Sequence, residues 1–303
     1  MKIATTIGEV YGYTKSPAEA VRFYEGTGFK YLDYSFYNAL NPDSPDYMMD
    51  DNWRERVLEA KAAAEELGFT FVQAHAPCCA LRGEGMEDGI ESTLRSIEAC
   101  GMLGIKVMVI HSGCWSDFKY PDGQEGNHKA NEPFMRALIP AMEKYDVRIL
   151  FENTTMKHTG GGNYFPITGN DLNAFVAFMD HPLFGACWDV GHAHMDEIDH
   201  QKEINDMGKN LLAIHVHDND GRKDFHNAMF CGSLDFDSLI RGLMDIDYKG
   251  YFTLETDGFF KYNRLKVEGD RLKHISNDLK KDALKLQYKL AKYILEAYDL
   301  YEE

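Results

Sequence analysis

Basic residues are scarce in this sequence: its 303 residues include 32 Lys plus Arg against 49 Asp plus Glu, a formal charge of −17. A protein that wraps nucleic acid needs a basic surface or stripe to neutralise phosphates. A protein that binds an anionic membrane needs basic clusters for the same reason. The deficit of cations therefore argues against both classes, and we expect neither a nucleic-acid nor a membrane partner.

Long apolar runs and a cysteine framework are missing as well. No apolar stretch approaches the roughly 18 residues of a membrane span, and residues 1–7 lack the basic, apolar and small-residue segments of a signal peptide. The six cysteines form no C-x-x-C pair and no regular spacing, which favours free thiols. Together these absences predict a cytoplasmic protein.

What the sequence does contain is a regular alternation of strand-like and helix-like segments. The predicted strands are Lys2–Thr6, Tyr31–Ser35, Thr70–Ala74, Lys106–Ile110, Arg148–Phe151, Gly185–Trp188, Leu211–Val216 and Gly250–Leu254. The predicted helices are Pro17–Gly26, Asn52–Leu67, Met86–Leu103, Asn131–Tyr145, Gly169–Met179, Glu197–Gly208, Phe236–Met244 and a last one over about Asp270–Tyr298.

This alternation predicts an α/β fold, a (β/α)₈ TIM barrel formed by one domain over residues 1–303. Residues 262–303 are expected to form a closing helical segment. An open doubly wound sheet fits less well, because the first strand is not followed by the G-x-G-x-x-G loop that usually accompanies that fold.

Six consecutive predicted strands, the third to the eighth, carry an ionisable side chain at their end or directly after it. These residues are His75, His111, Glu152, Asp189, His215 and Glu255. In a closed parallel barrel they meet at the C-terminal mouth, where burial would be costly without a counter-charge. Glu152, Asp189, His215 and Glu255 form a three-carboxylate, one-imidazole set that suits Mn²⁺, Mg²⁺, Co²⁺ or Zn²⁺.

A second set of candidates surrounds this predicted metal site. The residues predicted to bind substrate or an additional metal are His75, His111, His192, Asp224, His226 and Arg222. Arg222 would meet an anionic or polar group of the substrate, and a salt bridge to a neighbouring aspartate is an equal alternative. His217 shares the strand face of His215, so a supporting role is predicted. The histidines expected mostly on the surface are His128, His158, His181, His200 and His274.

The order of these residues resembles the xylose-isomerase-like TIM-barrel superfamily, and residues 215–226 are similar to the seventh-strand signature of its sugar isomerase branch. That group includes sugar phosphate isomerases and epimerases, tagatose 3-epimerase and inosose dehydratase types, and the endonuclease IV type of nuclease. Residues 227–236 depart from the signature, because its Pro-Gly-x-Gly turn is absent. The resemblance implies one divalent metal ion. Since all nine zinc-binding positions of the nuclease type have a match here, more than one zinc is the alternative.

Three hypotheses follow. The favoured one is a metal-dependent isomerase or epimerase of a sugar, sugar phosphate or polyol, in which Glu152 and Glu255 exchange a proton with the substrate through an ene-diolate. The alternative on the same scaffold is an inosose-type dehydratase, which would share the first proton removal. The second is an endonuclease IV-like zinc phosphodiesterase, disfavoured because the loops above the mouth are acidic. The third is a non-catalytic sugar-binding barrel. A homo-oligomer is compatible with the sequence.

Overall fold

In the computed structural model, which describes residues 1–115, 117–157, 165–259 and 275–303, eight parallel strands close into a barrel in chain order. The strands are Ile3–Thr6 (β1), Tyr31–Ser35 (β2), Thr70–His75 (β3), Val107–His111 (β4), Arg148–Glu152 (β5), Phe184–Asp189 (β6), Leu211–Val216 (β7) and Phe252–Leu254 (β8). Parallel pairing of β1 with β8 closes the barrel. The predicted (β/α)₈ barrel is confirmed.

Helices surround the barrel and connect its strands. They are Pro17–Phe23 (α1), Trp53–Leu67 (α2), Met86–Leu103 (α3), Gln124–Tyr145 (α4), Gly169–Met179 (α5), Val190–Met195 (α6), His200–Met207 (α7), Phe236–Asp245 (α8) and Asn277–Glu296 (α9). Helices α2 and α3 end at Gly68 and Gly104, whose φ angles of 74° and 78° are left-handed and therefore favour glycine.

Helix α4 begins at Gln124, earlier than the predicted start at Asn131. The additional turns are stabilised by tertiary contacts that the sequence pattern does not reveal. A Cβ on Gly126 would collide with the Phe118 ring, so this glycine lets the loop pack closely against the helix. The Asn131 side chain accepts a hydrogen bond from Gly113 N and donates to Asn127 O. Tertiary packing thus overrides the low helix propensity of this stretch.

The helix predicted over residues 197–208 is shorter, and α6 precedes it. Two aspartates explain the division, because each caps a helix with its side chain. Asp189 accepts a hydrogen bond from His192 N at the start of α6, and Asp199 accepts one from Lys202 N at the start of α7. Asp189 therefore ends β6 and starts α6 at the same point, which fixes its position at the mouth of the barrel.

The prediction that the peripheral histidines are exposed is wrong for two of them. His128 is buried and stacks on Phe175 with a ring separation of 5.0 Å. His200 is buried as well, and its Nδ1 accepts a hydrogen bond from Trp188 Nε1. Both imidazoles are neutral packing partners, since burial lowers the pKa of each. His181 is half-buried, and the other two, His158 and His274, lie outside the described residues.

Helix α9 packs against the barrel near the N-terminal strand. Tyr288 on this helix contacts Phe29 edge-to-face at 5.2 Å and hydrogen-bonds to Tyr301. On this helix Ala283 and Ile294 are buried, whereas Leu279 and Leu286 are exposed. The first part of the predicted closing segment, residues 262–274, lies outside the described residues. All six cysteines are free, and no helix in the described ranges is long and apolar enough to cross a membrane.

Candidate metal and substrate site

A cavity of about 460 Å³ opens at the C-terminal ends of the strands. Its lining residues are Thr6, Gly8, Glu9, Ser35, Tyr37, Asn38, His75, His111, Glu152, His192, Asp224, His226, Glu255 and Asp257. The lining is rich in carboxyl groups and contains no Lys or Arg from the described part of the chain. Arg222 is exposed and does not line the cavity, so its predicted contact with substrate stays a prediction.

Four of the predicted ligands converge at the base of this cavity. In the central group, formed by Glu152, Asp189, His215 and Glu255, one oxygen or nitrogen atom from each residue lies within 4.8 Å of the others. His215 Nδ1 is 3.1 Å from Glu152 Oε1 and 3.5 Å from Glu255 Oε1. All are buried except Glu255, whose side chain is 15% exposed. Three carboxylates and one imidazole suit a hard or borderline divalent cation.

A second group lies beside the first and shares Glu152 with it. His75 Nε2 and His111 Nε2 are 3.4 and 3.1 Å from Glu152 Oε2, so β3, β4 and β5 contribute one residue each. Within the described ranges, neither contact gives that buried oxygen a well-aligned hydrogen bond. An unsatisfied carboxylate oxygen facing two imidazole nitrogens is what a cation-binding set presents.

The third group is formed by His192, Asp224 and His226. Asp224 Oδ2 lies 3.1 Å from His226 Nε2 and 3.5 Å from His192 Nε2. The antiparallel bridge between Asp218 and Asn227 holds the loop that carries Asp224 and His226. The structure thus brings together every predicted site residue except Arg222.

Backbone carbonyl groups orient three of these imidazoles. His75 Nδ1 donates to Ala76 O at 2.8 Å, His192 Nδ1 to Asn153 O at 2.9 Å, and His226 Nδ1 to Glu255 O at 3.0 Å. In each ring the Nε2 atom then faces a carboxylate. A histidine that binds a metal ordinarily donates its other N–H to such an acceptor, so the arrangement fits metal binding.

The carboxylates strongly change the proton affinity of these histidines. Burial alone would lower the pKa of His215, but Glu255 and Glu152 raise it to about 10. Burial acts in the same way on His192, and Asp189 and Asp224 raise its pKa to about 10. Bound protons therefore balance the carboxylates when no cation does so. A divalent cation would replace those protons, because an imidazole must lose one to become a ligand.

His217 supports the site from the same strand as His215. Its Nε2 lies 3.1 and 3.2 Å from the two oxygens of Asp189, and its ring stacks on His226 with a separation of 3.9 Å. Gly191 makes room for this ring, since a Cβ there would lie 1.8 Å from His217 Cε1. His217 thus links the central group to the third.

Sequence reasoning missed two carboxyl groups at the rim of the cavity, Glu9 and Asp257. Glu9 Oε1 accepts hydrogen bonds from Thr256 N at 2.7 Å, Thr256 Oγ1 at 2.9 Å and Thr5 Oγ1 at 3.3 Å. These bonds join the loop after β1 to the end of β8. Burial raises the pKa of Glu9 to about 8.

Comparisons with known proteins agree with this architecture. The family model described as the xylose isomerase-like TIM barrel matches residues 21–275. An uncharacterized protein from Methanocaldococcus jannaschii is 25% identical over 195 residues, which are 61% of this chain and 64% of that protein. A probable endonuclease 4 from Mesoplasma florum is 24% identical over 173 residues, 53% of this chain and 56% of that protein. The chain therefore spans between about half and two thirds of these curated relatives.

Solved structures extend the likeness over the full chain. The IOLI protein, crystallised with a zinc atom, superposes with a TM-score of 0.74 at 16% identity and covers 100% of both chains. A D-tagatose 3-epimerase-like protein gives a TM-score of 0.72 at 17% identity, covering 98% of this chain and 100% of the other. At such identities the likeness shows the fold alone. Because the family model matches residues 21–275, which is most of the sequence, this chain belongs to the xylose isomerase-like TIM barrel family.

Proposed function

We propose that this protein is a divalent-metal-dependent isomerase or epimerase of a small sugar or polyol. The observation that carries the proposal is the central group of Glu152, Asp189, His215 and Glu255 at the base of the cavity. These residues would hold one Mn²⁺, Mg²⁺, Co²⁺ or Zn²⁺ ion. A bound cation would supply positive charge beside the substrate's carbonyl and neighbouring hydroxyl oxygens.

Glu152 and Glu255 are the proposed proton carriers. Both line the cavity, and both carboxylates lie within 3.5 Å of His215 Nδ1, so they approach the same small volume from β5 and from the end of β8. One of them would remove the proton from the carbon next to the carbonyl, and the other would return a proton through an ene-diolate. A dehydratase of the inosose type would share the first of these steps.

The charge of the cavity favours a neutral substrate over a sugar phosphate. Glu9, Asp224 and Asp257 line the wall around the two proposed proton carriers. No Lys or Arg of the described ranges lines the cavity, and carboxylates repel a phosphate group. The hydroxyl groups of an uncharged sugar can instead donate hydrogen bonds to these oxygens.

A zinc phosphodiesterase is the second candidate, and one observation favours it specifically. The second and third ligand groups stand beside the central one, so the nine residues could hold three cations. The probable endonuclease 4 among the relatives agrees with that possibility. Against it stands the acidic lining, because gripping a nucleic-acid backbone requires basic groups.

Deuterium exchange tests the proposal. The purified protein, loaded with Mn²⁺, Co²⁺ or Zn²⁺ and assayed for metal content, would be incubated in D₂O with unphosphorylated ketohexoses, inososes and their phosphates. We expect deuterium at the carbon next to the carbonyl of an unphosphorylated member. Glu152→Gln and Glu255→Gln should lower exchange at least 100-fold, since each removes one proton carrier.

The matched control is Glu59→Gln, which changes an exposed glutamate on α2 and should leave exchange unchanged. Metal content is measured for every variant, so that loss of the ion is distinguished from loss of the base. Exchange that survives both substitutions would rule out the two-carboxylate mechanism. Cleavage of an abasic-site oligonucleotide, lost in His75→Ala and His226→Ala, would establish the phosphodiesterase instead.

A further inference from the structure

Glu9 is a carboxyl group of the cavity wall that belongs to none of the three ligand groups. It lies in the short 3₁₀ helix Ile7–Tyr13, which follows β1 directly. Within the described ranges, the charge that acts on it most strongly is that of Asp257, which is negative. Neither metal binding nor an ion pair therefore explains why a carboxyl group stands at this position.

One oxygen of Glu9 fixes the position of the side chain. Oε1 accepts hydrogen bonds from Thr256 N at 2.7 Å and Thr256 Oγ1 at 2.9 Å, and a longer one from Thr5 Oγ1 at 3.3 Å. Thr256 follows Glu255 directly in the sequence, and Thr5 lies in β1. The carboxyl group is thus held at the wall of the cavity, beside the segment that carries a proposed proton carrier.

The other oxygen, Oε2, takes part in none of these three hydrogen bonds. Anchoring Thr256 requires a single acceptor atom, so the second oxygen of Glu9 is left for another partner. The side chain is half-buried and lines the cavity, where a bound molecule would displace the water around it. A polar atom that loses water must regain a hydrogen bond or weaken binding. A well-bound substrate therefore presents a hydrogen-bonding group to Oε2.

We propose that Glu9 Oε2 binds a hydroxyl group of the substrate beyond the two reacting carbons, so that Glu9 is a specificity-determining residue. The inference rests on the proposed function, in which the central group holds the cation that meets the carbonyl and its neighbouring hydroxyl. Glu9 contributes no atom to that group, so the hydroxyl it meets is a more remote one. The cavity of about 460 Å³ has room for a six-carbon substrate. Ketohexoses and inososes are therefore preferred over shorter ketoses.

Deoxy analogues test the inference first in the unmodified, metal-loaded protein. The ketohexose or inosose that exchanges deuterium fastest is compared with analogues that each lack one hydroxyl beyond the reacting carbons. For one analogue we expect kcat/KM for exchange to be about tenfold lower than for the parent, because Oε2 then faces no partner. Dihydroxyacetone, a three-carbon ketose, should react at least as poorly as that analogue.

Variants of Glu9 then assign that discrimination to Oε2. Glu9→Met removes both oxygens, and its kcat/KM values for the parent and the analogue should agree within about twofold. Glu9→Gln should keep the discrimination, because its Oε1 can still accept from Thr256 and its amide N–H can donate to the same hydroxyl. The matched control is Thr5→Val, which removes one bond to Oε1, leaves Oε2 in place and should keep the discrimination.

The outcomes separate the inference from the proposed function. If the metal-loaded protein exchanges no member of the panel, the proposed function fails and the inference falls with it. If exchange occurs but every deoxy analogue equals its parent, or Glu9→Met slows the parent and the analogue equally, the inference alone is overturned and Glu9 only anchors Thr256. Discrimination that is lost in Glu9→Met and kept in Glu9→Gln supports it. Glu9→Ser, whose side chain is too short to reach the hydroxyl, replaces Glu9→Met should that variant fail to fold.

Discussion

Glu9→Gln should stabilise the protein at alkaline pH and have little effect in acid. The three hydrogen bonds that Glu9 receives all go to Oε1, and the glutamine Oε1 can accept the two shorter ones, from Thr256 N and Thr256 Oγ1. The substitution therefore keeps the connection between the loop after β1 and the end of β8. The substitution removes the carboxyl group, whose ionised form is disfavoured by burial.

The direction follows from the pKa of Glu9, which burial raises from 4.5 to about 8. Below pH 4.5 the group is protonated in both the folded and the unfolded protein, so it does not affect stability. Between pH 4.5 and 8 only the unfolded chain loses its proton, and the free energy of unfolding falls as the pH rises. Above pH 8 the full penalty applies, and the glutamine variant avoids it.

The magnitude can be estimated from the same pKa. At roughly 1.4 kcal/mol for each pH unit between 4.5 and 8, the limit is about 5 kcal/mol. The Glu9 side chain lines an open cavity and is partly accessible, so solvent screening reduces this to on the order of 2 kcal/mol. For a chain of this length, 2 kcal/mol corresponds to about 3 °C in Tm.

Thermal and urea unfolding at pH 5 and pH 8.5, with a chelator present to remove any contribution of metal, would measure the effect. The exposed Glu59→Gln variant serves as the matched control and should show no pH-dependent difference. An equal effect of Glu9→Gln at the two pH values, or destabilisation at pH 8.5, would refute this explanation of the Glu9 environment.

Two further predictions concern the metal site. Adding Zn²⁺ to chelator-treated protein at pH 7.5 should release about one proton from His215 when the central group binds the ion, because the carboxylates raise the pKa of His215 to about 10. Calorimetry in two buffers of different ionisation enthalpy would count the released protons. Zinc binding without proton release would contradict the assignment of His215 as a ligand. Gly191→Ala should lower stability by about 2 kcal/mol and weaken metal binding, because its Cβ would displace His217 from Asp189. Gly12→Ala is the control, because a Cβ at that position meets no atom within 4 Å. If the Gly191→Ala and Gly12→Ala variants behaved equally in thermal melts and metal titrations, His217 would not support the site.

The barrel and most of the site could be predicted because the deciding signals are local. Strands β2 and β7 have the predicted bounds, since runs such as Leu211–Val216 carry their apolar pattern in a few adjacent residues. The site residues stand at the ends of those runs or close after them, and the closed barrel brings them to one end. Convergence of His75, Glu152 and Glu255 therefore required only the strand order.

The features that were missed depend on partners that are distant in sequence. Glu9 is half-buried because Thr256, 247 residues away, lies across the junction of β1 and β8, and nothing near residue 9 signals that contact. His200 is buried because Trp188 reaches its Nδ1.

The most direct test of the central claim is deuterium incorporation from D₂O into unphosphorylated ketohexoses and inososes by the metal-loaded protein, compared with its chelator-treated form. The proposed mechanism predicts incorporation at the carbon next to the carbonyl group, loss of exchange on chelation, and recovery when Mn²⁺, Co²⁺ or Zn²⁺ is restored. Absence of exchange with every member of the panel, in protein shown to contain metal, would contradict it.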